Sequence, residues 1–400
     1  MIWYPYEQMK IMKKPYKIID ANGVYIYTAD QKLIDSVSSW WSVIHGYKHP
    51  VLTAAIKEQA DKFSHVMLGG LTHEPVELLS QKLQEWLPGD LDYCFFSDSG
   101  SVAVEVSLKI ALQYYINRGE TNRTSVLALD RAYHGDTFKA MEVGDDKDYH
   151  FILNAYGKSQ HVVHIPTNID ALERAFEEYH DRLNCFIVEP LLQGAGGMQM
   201  YDILFLKRAR ELCDEYGILL IFDEVATGFG RTANRFVADL VLPDILVLGK
   251  ALTGGYIGHA VTVTNHKVYD GFYDENPTHA LMHGPTFMGN ALACSVALKS
   301  IELFEQQDYI SKIRRIQEIM KREMQNFFDP RIKEVRIMGG CICIEVYDSA
   351  VLTGYQEFAY QQGVFSRPFL NYLYAMVPYV IEEDELVKVL TTMKKWFYSK

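Results

Sequence analysis

The stretch that decides the fold reads Asp244-Ile-Leu-Val-Leu-Gly-Lys-Ala-Leu-Thr-Gly-Gly255. An apolar, strand-like run ends here at Lys250, and the small residues on both sides of this lysine leave room for a ligand to approach the backbone. A second apolar run, Ile218-Leu-Leu-Ile-Phe-Asp223, ends in a carboxylate. Taken alone, a lysine after a strand is an ordinary loop residue and an aspartate after a strand is an ordinary helix cap. A functional interpretation of the pair therefore depends on the rest of the chain.

Short apolar runs alternate with helix-like amphipathic segments between about residues 90 and 250. The pattern predicts, in order, strand Tyr93–Phe96, helix Val102–Asn117, strand Val126–Leu129, helix Ala171–Tyr179, strand Cys185–Val188, helix Leu204–Tyr216, strand Ile218–Phe222 and strand Ile245–Leu248. Strands that are almost continuously apolar and alternate with helices indicate an α/β fold with a mostly parallel sheet covered on both faces. Ligands of such folds bind at the carboxyl ends of the strands, where Asp223 and Lys250 are expected.

The two ends of the chain are predicted to form a smaller α+β domain. Residues 24–27 and 33–37 are typical of a hairpin around Asp30. Residues 298–400 predict a long helix followed by two strands and a closing helix, namely Val335–Ile337, Cys341–Val346 and Glu383–Tyr398. We therefore predict that residues 1–50 and 298–400 build the small domain and that residues 51–297 build the large, cofactor-binding one.

Composition and charge narrow the classes of function. Hydrophobic residues make up 48% of the 400 residues and charged residues 22%, as in a soluble globular protein. The net charge is −12 and no long Lys/Arg cluster occurs, which argues against nucleic acid and against an anionic membrane as partners. No apolar run is long enough to span a bilayer and the N-terminus lacks a secretory pattern, so we expect a cytoplasmic protein. The six scattered cysteines predict reduced core residues and no metal site.

Further groups that suit a cofactor follow other predicted strands. Gly100 and Ser101 open a helix, whose unpaired N–H groups and positive dipole end suit a phosphate, although an ordinary serine-capped helix has the same pattern. Tyr133 offers a ring for stacking on a flat cofactor, or lies in a surface turn. A desolvated lysine attacks an aldehyde, and an aspartate holds a protonated pyridine nitrogen. Together these groups meet the needs of pyridoxal 5′-phosphate.

Two later segments carry candidate binding groups. Thr286, in the turn-rich stretch Met282–Asn290, has a hydroxyl suited to a phosphate site, and the same stretch is also typical of a plain loop. Arg367 lies in an aromatic stretch poor in charge, where it should meet either a structural carboxylate or that of a substrate.

The aromatic residues near the N-terminus predict either packing at interfaces or the walls of a pocket; these are Trp3, Tyr4, Tyr6, Trp40 and Trp41.

In combination, these features resemble the class III, fold-type I aminotransferases that depend on pyridoxal phosphate, over nearly the whole chain from Ile2 to Ile381. The stretches Ile221–Arg231 and Leu248–Gly255 are similar to motifs of the whole class. Within the class, the chain most resembles the aminotransferases that form 7,8-diaminononanoate in biotin biosynthesis. The narrower motifs that carry this resemblance are Ser38–Tyr47, Ser64–Met67, Asp98–Glu105, Tyr133–Thr137, Val188–Met198 and His283–Asn290.

The resemblance implies a role for each candidate residue. Lys250 would carry the cofactor and shuttle a proton, and Asp223 would hold the pyridine nitrogen. The other cofactor-binding residues implied are Gly100 and Ser101 at the phosphate, Tyr133 on the ring, and Pro285 and Thr286, which reach the phosphate from a neighbouring subunit and so imply a homodimer. The substrate-binding residues implied are Tyr6, Trp40, Tyr133, Gly284, Arg367 and Tyr374.

The reaction implied is amino transfer from S-adenosylmethionine to 8-amino-7-oxononanoate, with donor and acceptor using one site in turn. Lysine or another amine remains an alternative donor. Another class III aminotransferase, acting on an ω-amino acid or a diamine, is a second interpretation, and Trp40 and the Tyr133–Thr137 motif argue against it. A cofactor-binding protein without turnover is a third, and the presence of both Lys250 and Asp223 argues against that. The chain departs from the family pattern at Tyr256–His259 and Met338–Cys343, where we expect differences in local packing.

Overall fold

The computed structural model describes residues 2–145 and 159–398. The strands are Asp20–Asn22 (β1), Tyr25–Tyr27 (β2), Lys32–Asp35 (β3), Tyr93–Ser97 (β4), Ser125–Leu129 (β5), Val162–Ile165 (β6), Leu183–Val188 (β7), Leu192–Gln193 (β8), Gln199–Met200 (β9), Leu219–Asp223 (β10), Ile245–Leu248 (β11), Ala260–Thr264 (β12), Ile332–Met338 (β13), Cys341–Val346 (β14), Val364–Phe365 (β15) and Tyr372–Met376 (β16).

The helices are Ser38–Trp41 (α1, a single turn), Pro50–Lys62 (α2), Glu74–Trp86 (α3), Gly100–Asn117 (α4), Phe138–Val143 (α5), Ile169–Tyr179 (α6), Ile203–Tyr216 (α7), His266–Asp270 (α8), Ala291–Gln306 (α9), Tyr309–Met324 (α10), Tyr355–Gln361 (α11) and Glu383–Tyr398 (α12). No helix in the described part of the chain is long and apolar enough to cross a membrane.

A seven-stranded sheet forms the centre of the molecule, in the order β4-β12-β11-β10-β7-β5-β6. Only β12 runs antiparallel to its two neighbours, β4 and β11, so the predicted mostly parallel sheet is confirmed. The parallel strands all end at one edge of this sheet. The segments that carry Gly100, Tyr133, Glu189, Asp223 and Lys250 leave the sheet at that edge.

Alternate residues of the central strands enter different cores, which explains why these strands read as continuous apolar runs. In β7, Cys185 and Ile187 pack into a cluster with residues of α4 on one face of the sheet. Their neighbours Phe186 and Val188 pack on the other face, in a cluster that includes residues of α3, α6 and α7. Both faces are therefore buried, as the pattern predicts.

Two smaller sheets are formed by the ends of the chain, and one of them combines strands from both ends. The first has the order β1-β2-β3-β15, and β15 joins it parallel to β3, with Val364 opposite Ile34. The second has the order β13-β14-β16 and packs against α10 and α12 through a shared apolar cluster. The predicted hairpin around Asp30 is confirmed by the antiparallel pairing of β2 with β3. The domain bounds 1–50, 51–297 and 298–400 stay a prediction.

The prediction of a single long helix at the start of residues 298–400 is wrong. The chain forms two helices there, α9 and α10, and breaks between them at Asp308, which adopts a left-handed conformation with φ of 46°. The Asp308 side chain accepts the N–H of Ser311, so it begins a second helix instead of continuing the first. β16, α11 and the short β15 are also absent from the predicted pattern.

Candidate active site

Lys250 lies just beyond the end of β11, at the first position of a short 3-10 helix, Lys250–Thr253. Its φ of 41° is uncommon for a residue with a side chain and costs conformational energy, as is seen at many active sites. The Lys250 Nζ atom lies 4.5 Å from the centroid of the Trp41 ring. Burial lowers the pKa of Lys250, although the charges of Asp223 and Glu189 oppose the change. The site thus favours the neutral amine, which is the nucleophilic form.

Asp223 is the last residue of β10 and is almost fully buried. One carboxylate oxygen, Oδ2, lies 2.7 Å from Nδ1 of His134, and the other, Oδ1, accepts the N–H of Val225 at 3.1 Å. Burial alone would lower the pKa of His134, but the hydrogen bond and the charge of Asp223 outweigh burial and raise it. A carboxylate backed by an imidazole in this way is held in one orientation, as the partner of a ring nitrogen must be.

The N-terminus of α4 lies against the loop that carries Tyr133. Ser99 caps the helix, and the Ser101 hydroxyl accepts the N–H of Asp136 at 3.2 Å. A Cβ atom on Gly135 would lie 2.0 Å from Ser101 Oγ, so only glycine allows this approach. The loop after β5 is therefore packed directly onto the positive end of an 18-residue helix, whose first residues are Gly100 and Ser101.

A cavity of about 950 Å³ opens beside Lys250. It brings together six of the residues predicted to form the site: Tyr6, Trp40, Tyr133, Lys250, Arg367 and Tyr374. Its further walls include Glu7, Trp41, Asp136, Ala195 and Met198. The same cavity thus contains the Lys250 amine and the Arg367 cation, and six of its sixteen lining residues are aromatic.

Six predicted residues do not line this cavity: Gly100, Ser101 and Asp223, which lie at the same edge of the sheet, and Gly284, Pro285 and Thr286. Gly284, Pro285 and Thr286 lie in the segment between the short 3-10 helix Pro277–His279 and α9, where Gly284 and Thr286 are exposed. Gly284 was predicted to lie in the substrate site, but it does not line the cavity of its own chain. The predicted contribution of Pro285 and Thr286 from a neighbouring subunit stays a prediction.

Trp40 and Trp41 belong to a left-handed helical turn that no sequence pattern indicated. All four residues of α1, Ser38–Trp41, have φ between 45° and 74°. The buried Asp35 carboxylate accepts the backbone N–H groups of Val37 and Ser39 at 3.0 and 2.8 Å, and the Tyr47 hydroxyl at 2.6 Å. A carboxylate with three donors offsets part of the strain of this turn.

Glu189 and Arg231 are further buried charges at the site, and sequence reasoning assigned a role to neither. Glu189 accepts the N–H groups of Tyr133 and Gly194 at 3.0 and 2.8 Å, and burial raises its pKa to about 7. The Arg231 guanidinium donates to the carbonyl of Trp41 at 3.3 Å, and thus holds the end of the left-handed turn. The position of Glu189 directly after a predicted strand was the available signal.

The two segments at which we predicted a departure from the family pattern both pack within the fold. Cys341 and Cys343 are fully buried on one face of β14, in a cluster with Trp41 and Tyr374 below the cavity. Both thiols are free, as predicted. In the other segment, the Tyr256 hydroxyl lies 3.0 Å from the hydroxyl of Thr53 and thereby ties the loop to α2.

The site defines a class of protein. A buried lysine suits an aldehyde, a carboxylate fixed by an imidazole suits a pyridine nitrogen, and the N-terminus of α4 suits a phosphate. All three lie at the carboxyl edge of one parallel sheet, so the residues present fit pyridoxal 5′-phosphate. The geometry is that of an enzyme that depends on this cofactor.

Comparison with known proteins gives the family. The family model of the class-III aminotransferases matches residues 8–397 of this chain. The chain therefore belongs to the class III aminotransferases, which are fold-type I enzymes that use pyridoxal 5′-phosphate.

The similar proteins include adenosylmethionine-8-amino-7-oxononanoate aminotransferases and an amine transaminase. The chain is 38% identical to an adenosylmethionine-8-amino-7-oxononanoate aminotransferase of Buchnera aphidicola subsp. Schizaphis graminum, over 98% of this chain and 94% of the relative. The crystal structure of such an enzyme from Methanocaldococcus jannaschii has a TM-score of 0.95 and 32% identity, and covers 100% of this chain and 97% of that one. An amine transaminase from an uncultivated Pseudomonas species in its PLP-bound form has a TM-score of 0.93 and 28% identity, and covers 100% and 98%.

Proposed function

We propose that the protein transfers an amino group from S-adenosylmethionine to 8-amino-7-oxononanoate and so forms 7,8-diaminononanoate. The observation that carries this proposal is that Arg367 and Lys250 line one cavity with aromatic walls. The acceptor has a carboxylate at the end of a long apolar chain, and its ketone lies at the far side. A cation removed from the reacting amine matches that shape.

Each residue of the site has a definite task in this proposal. Pyridoxal 5′-phosphate, when bound, supplies the aldehyde and the electron-withdrawing ring on which amino transfer depends. The Lys250 amine would hold the cofactor aldehyde and, when released, would serve as the base that moves a proton at the reacting carbon of the substrate. Asp223 holds the ring nitrogen in its protonated form, with His134 fixing the carboxylate. Tyr133 and the first turn of α4 orient the ring and the phosphate.

A complete site is proposed to need two subunits. Pro285 and Thr286 would reach the phosphate of a neighbouring copy, and Gly284 would line its substrate site. The exposure of Gly284 and Thr286, and the position of all three residues outside the cavity of their own chain, support this proposal. We accordingly propose a homodimer. A cytoplasmic location is proposed on the sequence pattern alone.

Separate measurement of the two half-reactions tests the proposal. The spectrum of the holoenzyme should change on addition of S-adenosylmethionine and return on addition of 8-amino-7-oxononanoate. In Arg367→Ala, apparent affinity for the acceptor should fall by roughly 10- to 150-fold, because a hydrogen bond to a charged group contributes about 1.5–3 kcal/mol. Arg315→Ala, at an exposed surface ion pair, is the matched control and should behave as the parent.

A general amine transaminase is the second candidate, favoured by the structural similarity to the Pseudomonas enzyme. Such an enzyme would convert simple amines that lack a carboxylate as fast as it converts S-adenosylmethionine, and Arg367→Ala would leave both reactions unchanged. That result would replace the first proposal with the second.

A further inference from the structure

The arginine proposed to bind the acceptor already has an acidic partner from its own chain. Glu7 Oε1 lies 3.4 Å from a terminal nitrogen of Arg367, and both side chains line the cavity beside Lys250. The side chains are partly exposed, Glu7 by 40% and Arg367 by 27%. The guanidinium also lies 5.4 Å from the Trp40 ring centroid. Glu7 therefore occupies a position that a substrate carboxylate would otherwise take.

Tyr6, the residue before Glu7, holds the N-terminal segment at this position. The Tyr6 hydroxyl donates to Asp136 Oδ2 at 2.6 Å, and its ring meets the Trp40 ring edge-on with centroids 6.2 Å apart. Residue 7 follows directly, so its backbone stays at the cavity while its flexible side chain can leave the arginine. Exchange of Arg367 between two carboxylates then requires only a rotation of the Glu7 side chain.

We propose that Glu7 is a specificity-determining residue, which pairs with Arg367 until an acidic acceptor displaces it and which attracts donors of net positive charge. This inference rests on the proposed function, because it takes Arg367 as the site of the acceptor carboxylate. It has a directional consequence. Removal of the Glu7 charge strengthens binding of a carboxylate and weakens binding of a cationic donor such as S-adenosylmethionine, whereas simple disruption of the pocket weakens both.

The size of the effect follows from the exposure of the pair. Partly exposed ion pairs are weak, and the Glu7–Arg367 distance is long for a hydrogen bond. Their usual strength corresponds to about a 1.5- to 5-fold change in affinity. Such a change is small in absolute terms, so its opposite sign for the two substrates is the decisive observation.

Glu7→Gln tests the inference, since glutamine keeps the size of the side chain and removes its charge. Nonanoate, an apolar chain with a carboxylate and no reactive group, serves as a probe whose binding to the holoenzyme is measured by calorimetry. We expect nonanoate to bind about 1.5- to 5-fold more tightly to Glu7→Gln, and the half-reaction with S-adenosylmethionine to need a correspondingly higher donor concentration. Glu177→Gln, which removes an exposed charge on α6, should match the parent in both measurements.

The double variant Glu7→Gln/Arg367→Ala separates the inference from the function on which it rests. If Glu7 acts through Arg367, the gain in nonanoate affinity disappears in the Arg367→Ala background. A gain that persists there, or an equal loss for both ligands in Glu7→Gln, overturns the inference and leaves the proposed function standing. If Arg367→Ala alone binds nonanoate as the parent does, the proposed acceptor site itself is wrong.

Discussion

Replacing Arg231 with methionine should destabilise the protein and raise the pKa of Lys250. The Arg231 side chain is only 1% exposed, and its guanidinium donates to the carbonyls of Trp41 at 3.3 Å and Val377 at 3.0 Å, with a weaker contact to Gly340 at 3.5 Å. It thereby ties the left-handed turn to the loop after β16. Methionine replaces the aliphatic part of the arginine side chain, but it is shorter and has no donor and no charge.

The expected loss of stability follows from the groups that remain behind. A buried carbonyl left without a donor costs about 1–3 kcal/mol, so the two shorter contacts predict a loss of about 2–6 kcal/mol in the free energy of unfolding. Arg231→Lys keeps the charge and some of the donors, and should lose less. The positive charge of Arg231 also adds to burial in lowering the pKa of Lys250, so that pKa should rise in the methionine variant and not in the lysine variant.

Denaturant unfolding measures the first effect, and the rate of cofactor uptake by the apoprotein as a function of pH measures the second. Only a neutral amine attacks an aldehyde, so the pH midpoint of uptake should move upward in Arg231→Met. Arg322→Met, at an exposed ion pair, is the control for loss of an arginine. An Arg231→Met protein with the unfolding free energy and the pH midpoint of the parent would refute the reasoning.

Three further substitutions test the remaining parts of the site. Lys250→Ala should abolish turnover while the protein stays folded, because no other group supplies the amine; multiple turnovers near the parental rate would remove Lys250 from its role. Asp223→Asn should lower the rate by orders of magnitude and lower the pKa of His134, which can be followed by imidazole NMR titration, whereas an unchanged rate would leave the carboxylate as a cap for the Val225 N–H. Gly135→Ala should weaken cofactor binding in equilibrium dialysis, because its Cβ would collide with Ser101 at 2.0 Å. Gly119→Ala also has a positive φ, 81° against 120° for Gly135, but no atom lies within 4 Å of its added Cβ, so it controls for a methyl group added at positive φ without a collision; equal cofactor affinity in the two variants would count against the packed loop.

The elements of the central sheet could be predicted because burial on both faces makes each strand an uninterrupted apolar run. β11 has the predicted bounds, β4, β5 and β7 differ by one or two residues at one end, and β10 is shifted by one residue at both ends. The residues that follow these strands lie together at the expected edge, so Asp223 and Lys250 were accessible to sequence reasoning. The presence of these two residues together at that edge indicates the class of enzyme.

The left-handed turn and its supports could not be predicted, because their cause lies in distant contacts. Nothing in the local sequence of Ser38–Trp41 favours positive φ, and the turn depends on Asp35 below it and on Arg231, which is remote in the chain. The break at Asp308 is a different case. An aspartate within an amphipathic pattern can face solvent in one continuous helix, or it can cap the start of a second helix. The packing of the two helices decides between these cases, so only the tertiary structure distinguishes them.

The pairing of β15 with β3 has a consequence for synthesis of the chain on the ribosome. β3 emerges early, but Ile34 meets Val364 only after almost the whole polypeptide has been made. The central sheet, by contrast, uses strands from the middle of the chain and can assemble first. Because contacts between distant residues form slowly, we expect the N-terminal strands to stay exposed until the last tenth of the chain has been synthesised. The cavity beside Lys250, which Arg367 also lines, would then be completed last.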